Sequence, residues 1–179
     1  TQMLIKFAQH PDNRMAIAES GAVQRLVIQL KGQGETSVKA QELAATALSH
    51  LAGDSVANAA SVATHGGIKP LVAMLVSESS EAQARASSAL AFVTASSREV
   101  QEMVAKEGAI EYLTNLLLPK DPKDATIGGS LEGRFEAAGA LWSLSKENEE
   151  TTPGIAEAGA IGRLVKLLHE ENPDAQKNA

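Results

Sequence analysis

The chain has 179 residues, 44% of them hydrophobic but only 3% aromatic, with a formal charge of −6 and no cysteine. These values exclude disulfide frameworks and thiolate metal sites, and they argue against nonspecific nucleic-acid binding, which needs a basic face to release counterions from phosphates. There is no apolar run of the ~20 residues that a bilayer crossing needs, and the opening "TQMLIKFAQH" is too short and too polar for a secretory signal.

Residues 1–10 read as the end of a helix, with Leu4 and Phe7 on its apolar side, and a new unit starts at "PDNR". Four segments then share one pattern: "SGAVQRLVIQL", "HGGIKPLVAML", "EGAIEYLTNLL" and "AGAIGRLVKLL". Their leading glycines, Gly21, Gly66, Gly108 and Gly159, are spaced 45, 42 and 51 residues apart, and repeats of 40 to 50 residues indicate a solenoid. After each glycine the apolar residues recur at i, i+3, i+4 and i+7. They are Val23, Leu26, Val27 and Leu30, then Ile68, Leu71, Val72 and Leu75, then Ile110, Leu113 and Leu117, and finally Ile161, Leu164, Val165 and Leu168. That spacing predicts one amphipathic helix per copy, with Thr114 the polar exception.

Four residues before each glycine stands an apolar residue, Ile17, Val62, Val104 or Ile155, on a shorter helix that the glycine turn ends. Ser96 and Glu99 have the spacing of a capping box for one of these, and Pro153 with Gly154 shortens the last. Downstream lie "VKAQELAATALSHLA", "EAQARASSALAFVT" and "RFEAAGALWSLS". Here the columns Ala44/Ala86/Ala137, Ala47/Ala89/Ala140, Leu48/Leu90/Leu141 and Leu51/Val93/Leu144 predict a third helix, its alanines allowing close packing.

Three helices per unit, the middle one opening after Gly-Ala-Ile and the last carrying Ala-Leu-x-x-Leu, resemble the armadillo repeat over nearly the whole chain. The resemblance implies an all-α fold, a right-handed superhelical α-solenoid of three-helix repeats, with the third helices lining a concave groove. In this register residues 1–10 end a preceding repeat, 11–54, 55–97 and 98–147 are repeats, and 148–179 is a truncated one. Asn172 and Pro173 would start a further helix with only "DAQKNA" after it, so we expect an internal stretch of a longer array. The insertion "LPKDPKDATIGGSLEG", residues 118–133, is a surface loop that either binds or is merely tolerated.

Chemistry is hard to place on this chain. His10, His50, His65 and His169 show no metal-ligand spacing, His169 with its two glutamates closing a helix. "GGS" lacks the lysine of a phosphate cradle, and no serine stands in Gly-x-Ser-x-Gly. We therefore expect no enzyme, metal, cofactor or small-molecule substrate.

Nuclear-import adaptors of the family carry repeated Trp and Asn residues on the groove face, where stacked rings hold lysine stems and the amide holds a peptide backbone. The matching Trp positions here are Thr46, Ser88 and Gly139, and the matching Asn positions are His50, Phe92 and Ser143, with Lys6 the equivalent in the first unit. Both ladders are missing, which disfavours import of basic signals, and Trp142 lies three residues off and is expected to pack between helices. The candidate groove residues are Lys39, Arg85, Phe92, Glu132 and Glu136, with Thr46, His50, Ser88 and Ser143 at the ladder positions. The resemblance implies a noncatalytic scaffold for a peptide or protein partner, with recognition within a larger ubiquitin ligase as an alternative. The expected setting is intracellular, cytoplasmic first, with nucleus or cilium as alternatives.

Overall fold

A computed structural model describes residues 1–32, 37–53 and 55–169. Among these the chain forms twelve helices and one isolated bridge, Pro119 to Gly129. The helix α1 (Gln2–Ala8) is followed by three triads: α2 (Pro11–Glu19), α3 (Ala22–Leu30) and α4 (Val38–Ala52); α5 (Val56–Thr64), α6 (Ile68–Met74) and α7 (Ser80–Thr94); α8 (Arg98–Lys106), α9 (Ala109–Leu116) and α10 (Leu131–Ser145). The helices α11 (Thr151–Glu157) and α12 (Ala160–Leu168) complete the series. No helix among the described residues is long and apolar enough to cross a membrane. The helix start expected at Asn172 and the glutamates beside His169 lie outside the described residues.

The short helix α1 and the long helices α4, α7 and α10 stand side by side in one row, and α3, α6 and α9 each pack against the long helix of their own triad. Alanine makes this close stacking possible: Ala44, Ala86, Ala137, Ala47, Ala89 and Ala140 have no exposed surface. Leu48, Leu90, Leu51, Val93 and Leu144 are equally buried and Leu141 nearly so, filling the space between the backbones. The glycine column turns the chain between first and second helices, with φ of 77 to 81° at Gly21, Gly66, Gly108 and Gly159, a region that side chains other than glycine's rarely adopt. Gly67, where the other copies have Ala, is set by space: a Cβ there would lie 2.7 Å from Val62 Cγ1.

A similar side-chain bond recurs at three of the four junctions where one unit meets the next. The Asn13 and Asn58 amides donate to the carbonyls of Phe7 and Leu51 at 3.1 and 2.9 Å, and the Thr151 hydroxyl donates to that of Leu144 at 2.5 Å. Each satisfies a carbonyl that the end of a long helix leaves without an intrahelical donor. Serines open five helices by accepting from a backbone amide three residues on: Ser37, Ser55, Ser79, Ser97 and Ser130.

Two local expectations shift. The cap of α8 is Ser97, whose Oγ accepts from the Val100 amide, while the Ser96 hydroxyl turns back to the Val93 carbonyl. The insertion ends at Ser130, because Leu131, Glu132 and Gly133 form the first turn of α10. The loop is folded on itself: the Gly129 amide donates to Leu118 O at 2.8 Å, the Asp121 amide to Ile127 O at 3.0 Å, and the Lys120 ammonium to the Ala125 carbonyl. The expected shortening of the last first helix is present, since α11 has seven residues against nine in α2, α5 and α8.

Candidate protein-binding face

The outward side of the long-helix row is a succession of half-buried and exposed residues, most of them polar, three turns deep on each helix. On α4 the row is Lys39, Leu43, Thr46 and His50. On α7 it is Glu81, Arg85 and Ser88, and on α10 it is Glu132, Glu136 and Gly139. A hollow of 390 Å³ crosses three successive helices and brings Lys39, Thr46, His50 and Arg85 together with Gln2, Ile5, Gln9, Glu42, Leu43 and Glu81.

Charge in this face is balanced locally. The Lys39 ammonium lies 3.0 Å from Glu42 Oε2, and the other oxygen of that carboxylate accepts from the Ser79 hydroxyl at 2.7 Å. Arg85 joins two helices, with Nε 2.8 Å from Glu81 on its own helix and Nη2 3.1 Å from Glu132 on α10. Burial works against the Arg85 cation, but the Glu81 hydrogen bond and the charges of Glu132, Glu81 and Glu136 more than offset it and hold its pKa above the usual value. Glu136 is pushed up by burial, against a hydrogen bond from Ser88 and the charge of Arg85; Glu132 adds to the rise. His50 is pushed down, by burial first and then by the Arg14 and Arg85 charges, so its imidazole resists protonation.

Of the nine candidate residues the structure joins seven. Lys39, Thr46, His50 and Arg85 share the hollow, and Glu132, Glu136 and Ser88 connect to it through Arg85 and each other. Phe92 is 41% exposed but stands apart, over a smaller hollow at the α4–α5 corner with Gly53 and Val56. Ser143 is not on this face: it is 4% exposed, donates to Ala91 O at 2.8 Å and accepts from Thr94 at 2.9 Å, because α10 lies close enough to α7 to enclose a side chain this short. Glu42 and Glu81 were missed, although Glu81 shares a column with Lys39 and Glu132 and could have been found from it.

Trp142 also departs from expectation. It is 66% exposed instead of packed between helices, with the Lys146 ammonium 5.7 Å from its ring centroid. Its indole borders a hollow of 620 Å³ between α10 and α12, walled by Phe135, Leu164 and Leu168.

Residues 10–53 match the family model of the armadillo/β-catenin-like repeat. No curated protein matches the chain. Among solved structures, an engineered protein from a structural genomics consortium is 31% identical with a TM-score of 0.84; the match covers 98% of this chain and 66% of that one, just under two thirds. A computationally designed armadillo repeat protein for modular peptide recognition is 26% identical with a TM-score of 0.82, over 98% of this chain and 69% of its own. The armadillo-repeats-only protein of Plasmodium falciparum shares the fold, at 21% identity and a TM-score of 0.77, over 98% of this chain and 74% of its own.

Proposed function

The chain belongs to the armadillo-repeat family, and from that premise we propose that it is a noncatalytic scaffold holding an extended or helical segment of a partner protein along its row of long helices. The observation that carries the reading is the hollow across α1, α4 and α7, where Lys39, Thr46 and His50 of α4 meet Arg85 of α7. A rigid row of this kind offers a partner many small contacts without ordering itself on binding, which lowers the entropic cost. The designed relative built for modular peptide recognition supports a peptide as the class of ligand.

The unit boundaries belong to the same reading: repeats at 11–54, 55–97 and 98–147, a preceding end at 1–10, and a further unit from 148. Because Lys39 and Arg85 are already paired with Glu42, Glu81 and Glu132, the face presents alternating charge instead of a single sign. Its partner is a segment of mixed charge that exchanges these pairs for its own.

The test leaves the ion pairs in place and fills the row. Thr46 and Ser88 are half-buried, so Thr46→Arg with Ser88→Arg adds bulk to the face without removing a core residue. Quantitative pull-down from source-cell extract, after matching the melting curves, should lose the bound partners in the double variant. Retention of the same partners at the same level would place binding elsewhere.

A further inference from the structure

We infer that His50 anchors one carboxylate side chain of the segment bound along the long-helix row, and that its imidazole takes up a proton when that carboxylate arrives. The inference rests on the reading that a partner lies along the row, and it adds which sign of charge the partner brings to one place. That place is inside the row: α4 is flanked by α1 on one side and α7 on the other, so no further helix of the stack belongs in the hollow between them.

Cations collect at the His50 end of this hollow. Arg14, on α2, brings its guanidinium to the last turn of α4: a Cβ built on Gly53 would lie 3.1 Å from Arg14 Nη1 and 3.4 Å from His50 O. Arg85 lines the same hollow from α7. Lys6, exposed on α1, holds in its unit the position that His50 holds in the next. The residues that α1 contributes to the lining, Gln2, Ile5 and Gln9, are uncharged. The two carboxylates that line the hollow are already engaged. Glu42 holds Lys39 and the Ser79 hydroxyl, and Glu81 holds Arg85, which Glu132 of α10 also reaches.

Burial first, and then the charges of Arg14 and Arg85, depress the His50 pKa, so the free protein keeps a neutral ring beside two guanidinium groups. A carboxylate seated against the ring reverses this balance. Its charge offsets the guanidinium charges and favours the imidazolium, which donates to it. A singly charged carboxylate fits better than a dianionic phosphate, because Glu42 and Glu81 border the same hollow and repel the second charge. Proton uptake on binding makes the complex tighter as pH falls from 8 toward 6, by about tenfold for each unit that separates the bound from the free His50 value.

The probe is a random dodecapeptide library displayed on phage and panned on the intact chain at pH 6. Selected peptides should share an Asp or Glu at one common position, and the Thr46→Arg, Ser88→Arg variant should lose them. A synthetic copy of the strongest should bind about fivefold tighter at pH 6 than at pH 8. Replacing its common acidic residue by the matching amide should remove both the affinity and the pH dependence. His50→Gln in the protein, with a matched melting curve, should also remove the pH dependence, and Lys6→Gln, at an exposed position, should weaken binding about threefold. In proton NMR the His50 ring, assigned by its loss in His50→Gln, should titrate at higher pH when the peptide is bound, while His10, His65 and His169 stay where they are.

The failures separate. Peptides that the Thr46→Arg, Ser88→Arg variant loses, but that share no acidic position or bind regardless of His50→Gln and pH, would overturn the inference and leave the row as the binding face. Peptides that this variant retains would overturn the reading of the row and the inference with it, and a library that yields no peptide would do the same. Tighter binding with phosphoserine in place of the acidic residue would overturn the carboxylate.

Discussion

The joint between α4 and α7 and the joint between α7 and α10 bury the same alanine and leucine columns, yet they are fastened differently. In the first, the Glu42 carboxylate reaches from α4 to the Ser79 hydroxyl that caps α7, while Lys39 holds its other oxygen. In the second, the polar contacts are more numerous and deeper. Ser143 and Thr94 bond to each other across the joint, Ser143 also donates to Ala91 O and Arg85 pairs with Glu132 at 3.1 Å, and from the neighbouring α8 the Gln101 amide donates to Ser143 O at 2.9 Å and to Lys146 O at 3.2 Å. The same Gln101 accepts from the Asn148 amide at 2.8 Å. The columns thus set how far apart the helices stand, and residues outside the columns decide how firmly a given pair is held.

If the columns carry the packing, Leu48→Ala and Leu141→Ala should each cost about 3 kcal/mol, with midpoints falling together in urea denaturation. Unequal losses beyond about 1 kcal/mol would show that the cores of the two joints are not equivalent. The polar fastenings should then separate them. Gln101→Leu strands the Asn148 amide and leaves the buried Ser143 carbonyl and the part-buried Lys146 carbonyl without their donor, at about 2 kcal/mol. Glu42→Gln, at a pair whose lysine is 68% exposed, should cost about 0.5 kcal/mol.

Thr114 sharpens the comparison from the opposite direction. It is 1% exposed with no partner for its hydroxyl, and the other three copies have Val27, Val72 and Val165 in its place. Thr114→Val should raise stability by about 1 kcal/mol, since it removes a desolvated hydroxyl at nearly constant volume. A loss would mean the hydroxyl is satisfied in solution.

The smallest effects are in pH. The His50 pKa is depressed in the folded state, so its contribution is present above the usual imidazole value and is lost as pH falls below it. The Glu136 pKa is raised, so the folded state disfavours its ionised form, and that cost sets in as pH rises through the acid range. His50→Gln should flatten the fall in Tm between pH 7 and pH 5, and Glu136→Gln should raise Tm at pH 7 but not at pH 4, each by about 1 °C. Equal shifts at both pH values would detach the effect from titration.

The helices and their buried columns were legible because Ala and Leu recur at helical spacing in each copy, and only packing preserves that pattern. The site was legible in part. Lys39, Thr46, His50 and Arg85 fall on one face by register alone, whereas the burial of Ser143 depends on how closely α10 approaches α7, a distance no single residue announces. Trp142 misleads for a related reason: its size suggests a core, but it stands exposed beside the hollow between α10 and α12. Phe92 is exposed as expected, yet its place at the helix end sets it beside the α4–α5 corner, which helical periodicity does not reveal.

The measurement that tests the central claim most directly is photocrosslinking from single sites. A benzoylphenylalanine would be placed at Thr46 in the hollow and, in a second protein, at Met103, which is 46% exposed on α8. Irradiation in source-cell extract should give a discrete adduct from position 46 and none from position 103. The same adduct from position 103, with none from position 46, would contradict binding along the long-helix row.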